Sequence, residues 1–188
     1  FNQLKLTRRK WQLINSDIHL KNKYIYKQFE PSSNGENWAF VRYDKGKFFV
    51  TVANLKTGKL KVIHKGDIRS DRIPNYSFPV LTWHPSNQIL AYIIEKEGKP
   101  YFVTYNIETK EKNEKILMQV DQVNSMNYSP DGKRLVFSAY YEGKSDIYVM
   151  PISANKPQAI TSDLFDDAAP VFSLDGSQII FSSNLYFV

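Results

Sequence analysis

One pattern recurs four times along the chain. An aromatic residue stands just ahead of a turn, and a second aromatic closes the strand that follows it. The copies are FEPSSNGENWAF (29–40), WHPSNQILAY (83–92), YSPDGKRLVF (128–137) and FSLDGSQIIF (172–181). The leading aromatics Phe29, Trp83, Tyr128 and Phe172 are spaced by 54, 45 and 44 residues. The closing aromatics Phe40, Tyr92, Phe137 and Phe181 are spaced by 52, 45 and 44. A third element, VANLKTGK (52–59), YNIETKEK (105–112) and MPISANKP (150–157), echoes at similar distances. Three features sharing one period of about 45 residues define a repeated unit too small to bury its own faces.

Each unit reads as four short strands. In the third copy, Val123–Tyr128 leads into the turn Ser129-Pro130-Asp131-Gly132, where Pro presets φ and Gly supplies the permissive last position. Arg134–Ala139 forms the second strand, Asp146–Ile152 the third, and Gln158–Thr161 the fourth, at the sheet edge. Four antiparallel strands per 45 residues is the blade of a β-propeller. The expected fold is all-β, about three and a half four-stranded blades at 29–66, 78–120, 123–161 and, in part, 168–188. The last copy stops where its third strand should begin, so the chain is expected to be a piece of a longer protein. Residues 1–28 are a basic lead-in, either a linker or a closing strand around Ile18–Tyr26. The final Asn-Leu-Tyr-Phe reads as the start of a third strand or the remnant of a protease-cleavage tag.

Charge bears on partners. The formal net charge is +6, but residues 1–30 hold seven Lys and Arg against two acids, a net +5. The blades are therefore close to neutral, which argues against a nucleic-acid face. Lys and Glu alternate in IETKEKNEK (107–115), as suits a solvated hairpin. The leading aromatics repeat opposite an apolar strand, which makes them core rather than a base-stacking platform. There is no Cys, and no apolar run approaches the roughly 20 residues of a membrane helix.

Catalytic chemistry is not expected. No Gly-x-Ser-x-Gly elbow, His-Glu-x-x-His helix or P-loop occurs. His19, His64 and His84 show no useful spacing, and His84 occupies the Ser129 position of its turn, where a polar side chain bonds local backbone. Asp131 and Asp175 each stand alone in a turn, so they shape the turn rather than ligate calcium. No cofactor or metal is implied. The loops joining strands two to three share an end with those joining one blade to the next. On that end lie Asp163, Asp166 and Asp167 of TSDLFDDAAP, Tyr140 and Tyr141 of AYYEGKS, and Arg69, Arg72 and Tyr76 of the insertion DIRSDRIPNYS (67–77). Arg and Tyr are strong interface anchors, and insertions on rigid scaffolds often carry function. The aspartates either cap backbone amides at the blade crossing or face a partner.

NYSPDGKRLVFSA (127–139), SDIYVMPI (145–152) and PVFSLDGSQIIFSSN (170–184) resemble the repeats of TolB-like β-propellers. The resemblance is fair over 83–112, weak over 29–60, where the turn reads as lengthened, and silent on 1–28. It implies a bacterial, periplasmic or envelope-associated, non-enzymatic scaffold that binds a protein partner beside other blades or domains of its parent. Similar propellers gate prolyl-oligopeptidase-type serine peptidases, which is the alternative. A carbohydrate-binding propeller, using mouth tyrosines with Asp166 or Asp167, is a third reading.

Overall fold

The computed structural model describes residues 5–7, 10–12, 20–21, 23–68 and 78–184. The chain divides into two compact units, Phe1–Tyr76 and Ser77–Val188. In the first, β1 (Lys5–Thr7) and β2 (Lys10–Gln12) form an antiparallel ribbon. β3 (Ile25–Pro31), β4 (Asn37–Asp44), β5 (Lys47–Asn54) and β6 (Leu60–Asp67) follow as one antiparallel sheet in chain order.

The second unit holds two such sheets and a shorter one. β7 (Val80–Trp83), β8 (Ile89–Lys96), β9 (Lys99–Asn106) and β10 (Lys112–Ile116) form the first. β11 (Gln122–Tyr128), β12 (Arg134–Tyr141), β13 (Lys144–Pro151) and β14 (Gln158–Ala159) form the second. β15 (Asp167–Phe172) pairs with β16 (Ile179–Ser183) in the third. Among the described residues there is no helix. The fold is all-β, three four-stranded blades and a half-blade, as the repeat dictates.

Burial follows position in the blade. The middle strands are apolar on both faces and covered on both: Leu135, Val136, Phe137, Ser138 and Ala139 of β12 are all buried. The fourth strands β6 and β10 carry Lys together with Asp or Glu and stay mostly exposed, as an outer edge requires. Within the second unit β11 lies against both β7 and β15, so the first strands stand side by side. One core joins the two four-stranded sheets there, with Ile93, Phe102, Val123, Met126, Leu135, Phe137 and Tyr148 among its members.

The turn before each second strand is built alike in all four copies. Gly132 donates to the Ser129 carbonyl (2.9 Å) and Gly176 to the Ser173 carbonyl (2.9 Å). Asn87 to His84 (2.9 Å) and Gly35 to Ser32 (2.8 Å) do the same. The Ser129 hydroxyl donates to Asp131 Oδ1 (2.6 Å) and accepts the Arg134 amide (2.9 Å). Ser32 repeats this with Asn34 Oδ1 (2.7 Å) and the Asn37 amide (3.0 Å).

Two expectations for the first copy are thereby corrected. Its turn is not lengthened, because Ser32-Ser33-Asn34-Gly35 superposes in role on Ser129–Gly132. Phe29 is consequently not the counterpart of Tyr128; Pro31 is. Phe29 stacks on Phe40 instead, with ring centroids 5.5 Å apart, and remains 40% exposed. The irregularity lies in β3, whose pairing with β4 shifts register between Lys27 and Glu30. Of the strand foreseen around Ile18–Tyr26, residues 18, 19 and 22 lie outside the described residues; Ile25 and Tyr26 belong to β3 and pair with β4 in the first blade's own sheet.

Candidate functional site at the loop end of the second unit

Antiparallel topology gathers four connections at one end of the second unit. They are the β8–β9 turn, the β10–β11 loop, the β12–β13 turn and the β14–β15 loop. Backbone and side-chain bonds tie the last three together. The Asp121 amide donates to the Tyr140 carbonyl (2.8 Å), and the Glu142 amide donates to Asp121 Oδ2 (3.1 Å). The Ser145 amide reaches Asp166 Oδ1 (3.4 Å), and the Asp166 amide donates to Asn184 Oδ1 (2.7 Å). This is the end on which the sequence placed Tyr140, Tyr141, Asp163, Asp166 and Asp167.

The structure sorts those candidates. Tyr140 is 39% exposed at the end of β12. Tyr141, its neighbour, faces the other way, since successive strand residues alternate, and packs against the core. They are not a paired exposed anchor. Glu142 and burial raise the Tyr141 phenol above its ordinary value, the nearby carboxylate acting first. Arg69, Arg72 and Tyr76 lie outside the described residues, as do residues 185–187 of the final Asn-Leu-Tyr-Phe stretch.

Of the three aspartates, two accept backbone amides and one does not. Asp163 is exposed, and its Oδ1 accepts the Phe165 amide (2.8 Å) as a local turn cap. Asp166 is exposed and accepts the Ser145 amide (3.4 Å) from the neighbouring blade. Asp167 caps nothing through its side chain. It is 1% exposed, and both carboxylate oxygens are buried without a hydrogen-bond partner. Its backbone carbonyl accepts the Ser145 hydroxyl (2.9 Å).

Asp146, at the start of β13, was not among the sequence candidates. It is 6% exposed, and its Oδ1 accepts the Thr161 hydroxyl (3.3 Å). Burial holds its carboxyl above the ordinary range, and the charges of Asp167 and Asp163 push the same way. Its sequence signal was position: the equivalent residues of the other sheets are Tyr101 and Phe49. Leu164, fully on the surface at 86% exposure, and Tyr140 add apolar area among these acids.

At the opposite end, His84 is held in its turn. Its Nδ1 accepts the Ser86 amide (3.1 Å), and its ring meets Tyr128 edge-on with centroids 5.0 Å apart. Asp131 and Asp175 are turn formers. The Ser173 hydroxyl, then the Ser177 amide and hydroxyl, hold the Asp175 carboxyl down to about 2. Among the described residues no three His, Cys, Asp or Glu side chains converge as a metal centre.

The comparisons with known proteins agree with this architecture. The family model for the TolB beta propeller domain matches residues 67–185. The chain is 26% identical over 178 residues to the Tol-Pal system protein TolB of Francisella tularensis, covering 90% of this chain and 39% of that one. It is 29% identical over 104 residues to the uncharacterized peptidase YuxL of Bacillus subtilis, covering 55% of this chain and 14% of that protein. The crystal structure of TolB from Acinetobacter baumannii superposes with a TM-score of 0.68 at 17% identity, over 86% of this chain and 38% of that chain. The chain thus spans less than two fifths of each of these relatives. With its repeat, its blade topology and a family match over more than half its length in agreement, the chain belongs to the TolB beta propeller domain family.

Proposed function

We propose that this chain is a non-enzymatic protein-binding module of a bacterial cell-envelope protein, engaging its partner through the loop end of the blades. The observation that carries the reading is the likeness to the Tol-Pal system protein TolB, which runs over 90% of the chain. The geometry supports it: Tyr140 at the end of β12, and Asp163, Leu164 and Asp166 on the β14–β15 loop, are offered to solvent. Arg69, Arg72 and Tyr76, on the insertion between the first two blades, are proposed as further anchors for a protein partner.

The test is affinity capture from envelope extracts by the full chain, with cross-linking to locate the contact. A specific partner should be retained by wild type and lost from a Tyr140→Ala/Asp166→Ala variant whose melting temperature is unchanged. Equal capture by both proteins would remove the loop end from consideration.

The match to YuxL supports a second reading, a gating propeller for a serine peptidase whose catalytic domain lies elsewhere in the parent. Labelling of the full-length parent by a fluorophosphonate serine-hydrolase probe would establish that reading and displace the first.

A further inference from the structure

The near-neutral sum over the blades conceals a division of charge. Residues 20–68, which hold the first blade, carry ten Lys and Arg against four acids, a net +6. Residues 78–184, which hold the other blades, carry nine against thirteen, a net −4. The basic charge therefore extends across the first sheet, and most of the acids belong to the others.

On one face of the first sheet those cations are ordered by rings. Register places Tyr26, Arg42, Phe49 and Lys65 side by side on β3, β4, β5 and β6. Tyr24, just ahead of β3, meets the Tyr26 ring edge-on with centroids 6.3 Å apart. The Arg42 guanidinium lies 4.5 Å from the Tyr24 ring centroid and 4.2 Å from that of Phe49. The Lys23 ammonium stands over Tyr24 at 5.0 Å, and that of Lys65 over Phe49 at 6.0 Å. Cation and ring alternate in the order Lys23, Tyr24, Arg42, Phe49, Lys65, across four strands and about 14 Å. Arg42 is half-buried, and the two lysines are exposed.

Three like charges held in one row repel, and the ring contacts offset this only in part. Among the described residues no carboxylate pairs with Lys23, Arg42 or Lys65. Two of the four acids within 20–68 are taken by other lysines, Asp67 by Lys47 (3.5 Å) and Glu36 by Lys56. The form of the row says which counter-charge suits it. Ring contacts hold the plane of the Arg42 guanidinium, so its N–H fork is set to donate to both oxygens of a carboxylate. Each of the two rings already has two cations within 6.0 Å of its centroid, so neither is open to stack a base or a sugar. Alternate residues of an extended chain stand about 7 Å apart, so three carboxylates on alternate residues span the same 14 Å as the three cations.

We propose that this row is a docking strip for an acidic segment of a protein partner, an extended stretch with Asp or Glu at alternate residues. Arg42 sets its register through a bidentate pair, and Lys23 and Lys65 hold its two ends. The inference stands on the first blade alone and goes beyond the loop-end reading, which it does not require.

The test is fluorescence anisotropy of the full chain with a labelled Glu-Gly-Glu-Gly-Glu peptide, beside its Gln-Gly-Gln-Gly-Gln counterpart. The Glu peptide should bind and the Gln peptide should not, and raising salt from about 20 to about 200 mM should weaken binding about tenfold. Arg42→Lys, which keeps the charge but loses the fork, should weaken it about tenfold. Lys23→Gln/Lys65→Gln, confined to exposed side chains, should do the same with an unchanged melting temperature. Lys59→Ala, which removes the same charge from the β5–β6 turn, should leave binding within about twofold. The Tyr140→Ala/Asp166→Ala variant should bind the peptide as wild type does, so that either surface can fail without the other. The proposal is overturned by absence of binding, by equal binding of the two peptides, or by a loss with Lys59→Ala as large as with Arg42→Lys. Tighter binding of a single-stranded oligothymidylate or of phosphatidylglycerol vesicles than of the Glu peptide would overturn it as well.

Discussion

At the residue scale, identical residue types do different work depending on what stands over them. Gly132 and Gly143 both have positive φ, 72° and 83°. A Cβ at Gly143 meets nothing within 4 Å, whereas one at Gly132 would overlap the His84 ring of the preceding blade. Gly143→Ala should therefore cost only the left-handed backbone penalty, about 1–2 kcal/mol. Gly132→Ala adds overpacking of about 1–3 kcal/mol to that penalty. Urea denaturation of both variants checks the difference, and equal losses would show that the His84 contact yields freely. The aspartates make the same point. Asp163, Asp166 and Asp167 are near-neighbours in sequence, yet two bond backbone amides and one is sealed in without a donor.

At the scale of the element, the repeated turn is the best-defined piece of local chemistry. Ser129 is fully buried, and its hydroxyl serves both Asp131 and the Arg134 amide. Ser129→Ala leaves that amide without its partner and should cost about 1–3 kcal/mol. A loss below about 0.5 kcal/mol would mean that water replaces the hydroxyl. The equivalent turn in the half-blade gives a pH signature. Its Asp175 carboxyl is depressed from 3.8 to about 2, by Ser173 first. A depressed acid contributes stability that is present above its unfolded value and lost as pH falls through its folded one. The stability difference between wild type and Asp175→Asn should thus hold above about pH 4 and shrink toward pH 2. A difference that is flat across that window, or an NMR midpoint near 3.8, would contradict the hydrogen-bonding shown. These turns also stack: Arg134 donates to the Gly176 carbonyl (3.0 Å) and lies 5.0 Å from the Phe172 ring.

At the scale of the molecule, one repeat position is read at different depths. Phe137 is 1% exposed and stacked on Tyr148 at 5.7 Å, whereas Phe181, its equivalent in the half-blade, is 39% exposed. Phe137→Ala should cost about 3–5 kcal/mol, and Phe181→Ala about 1 kcal/mol or less. Chemical denaturation of the pair tests this; equal costs would mean that β16 is covered in solution. The period, the strand boundaries and the turn residues were legible because each blade is dominated by local pairing, with alternation and Pro-Asp-Gly chemistry written into adjacent residues. The first blade misled because Phe29 imitates the leading aromatic while a shift in β3 moves it off that position. Tyr141 misled because composition does not say which way a strand residue faces. By itself, then, the sequence determined the blade architecture, since period and turn chemistry are properties of neighbouring residues. Only the tertiary structure decided which acids are buried: Asp146 and Asp167 lie 21 residues apart, in different blades, at 6% and 1% exposure. Their burial is a property of how sheets stack, which no local pattern encodes.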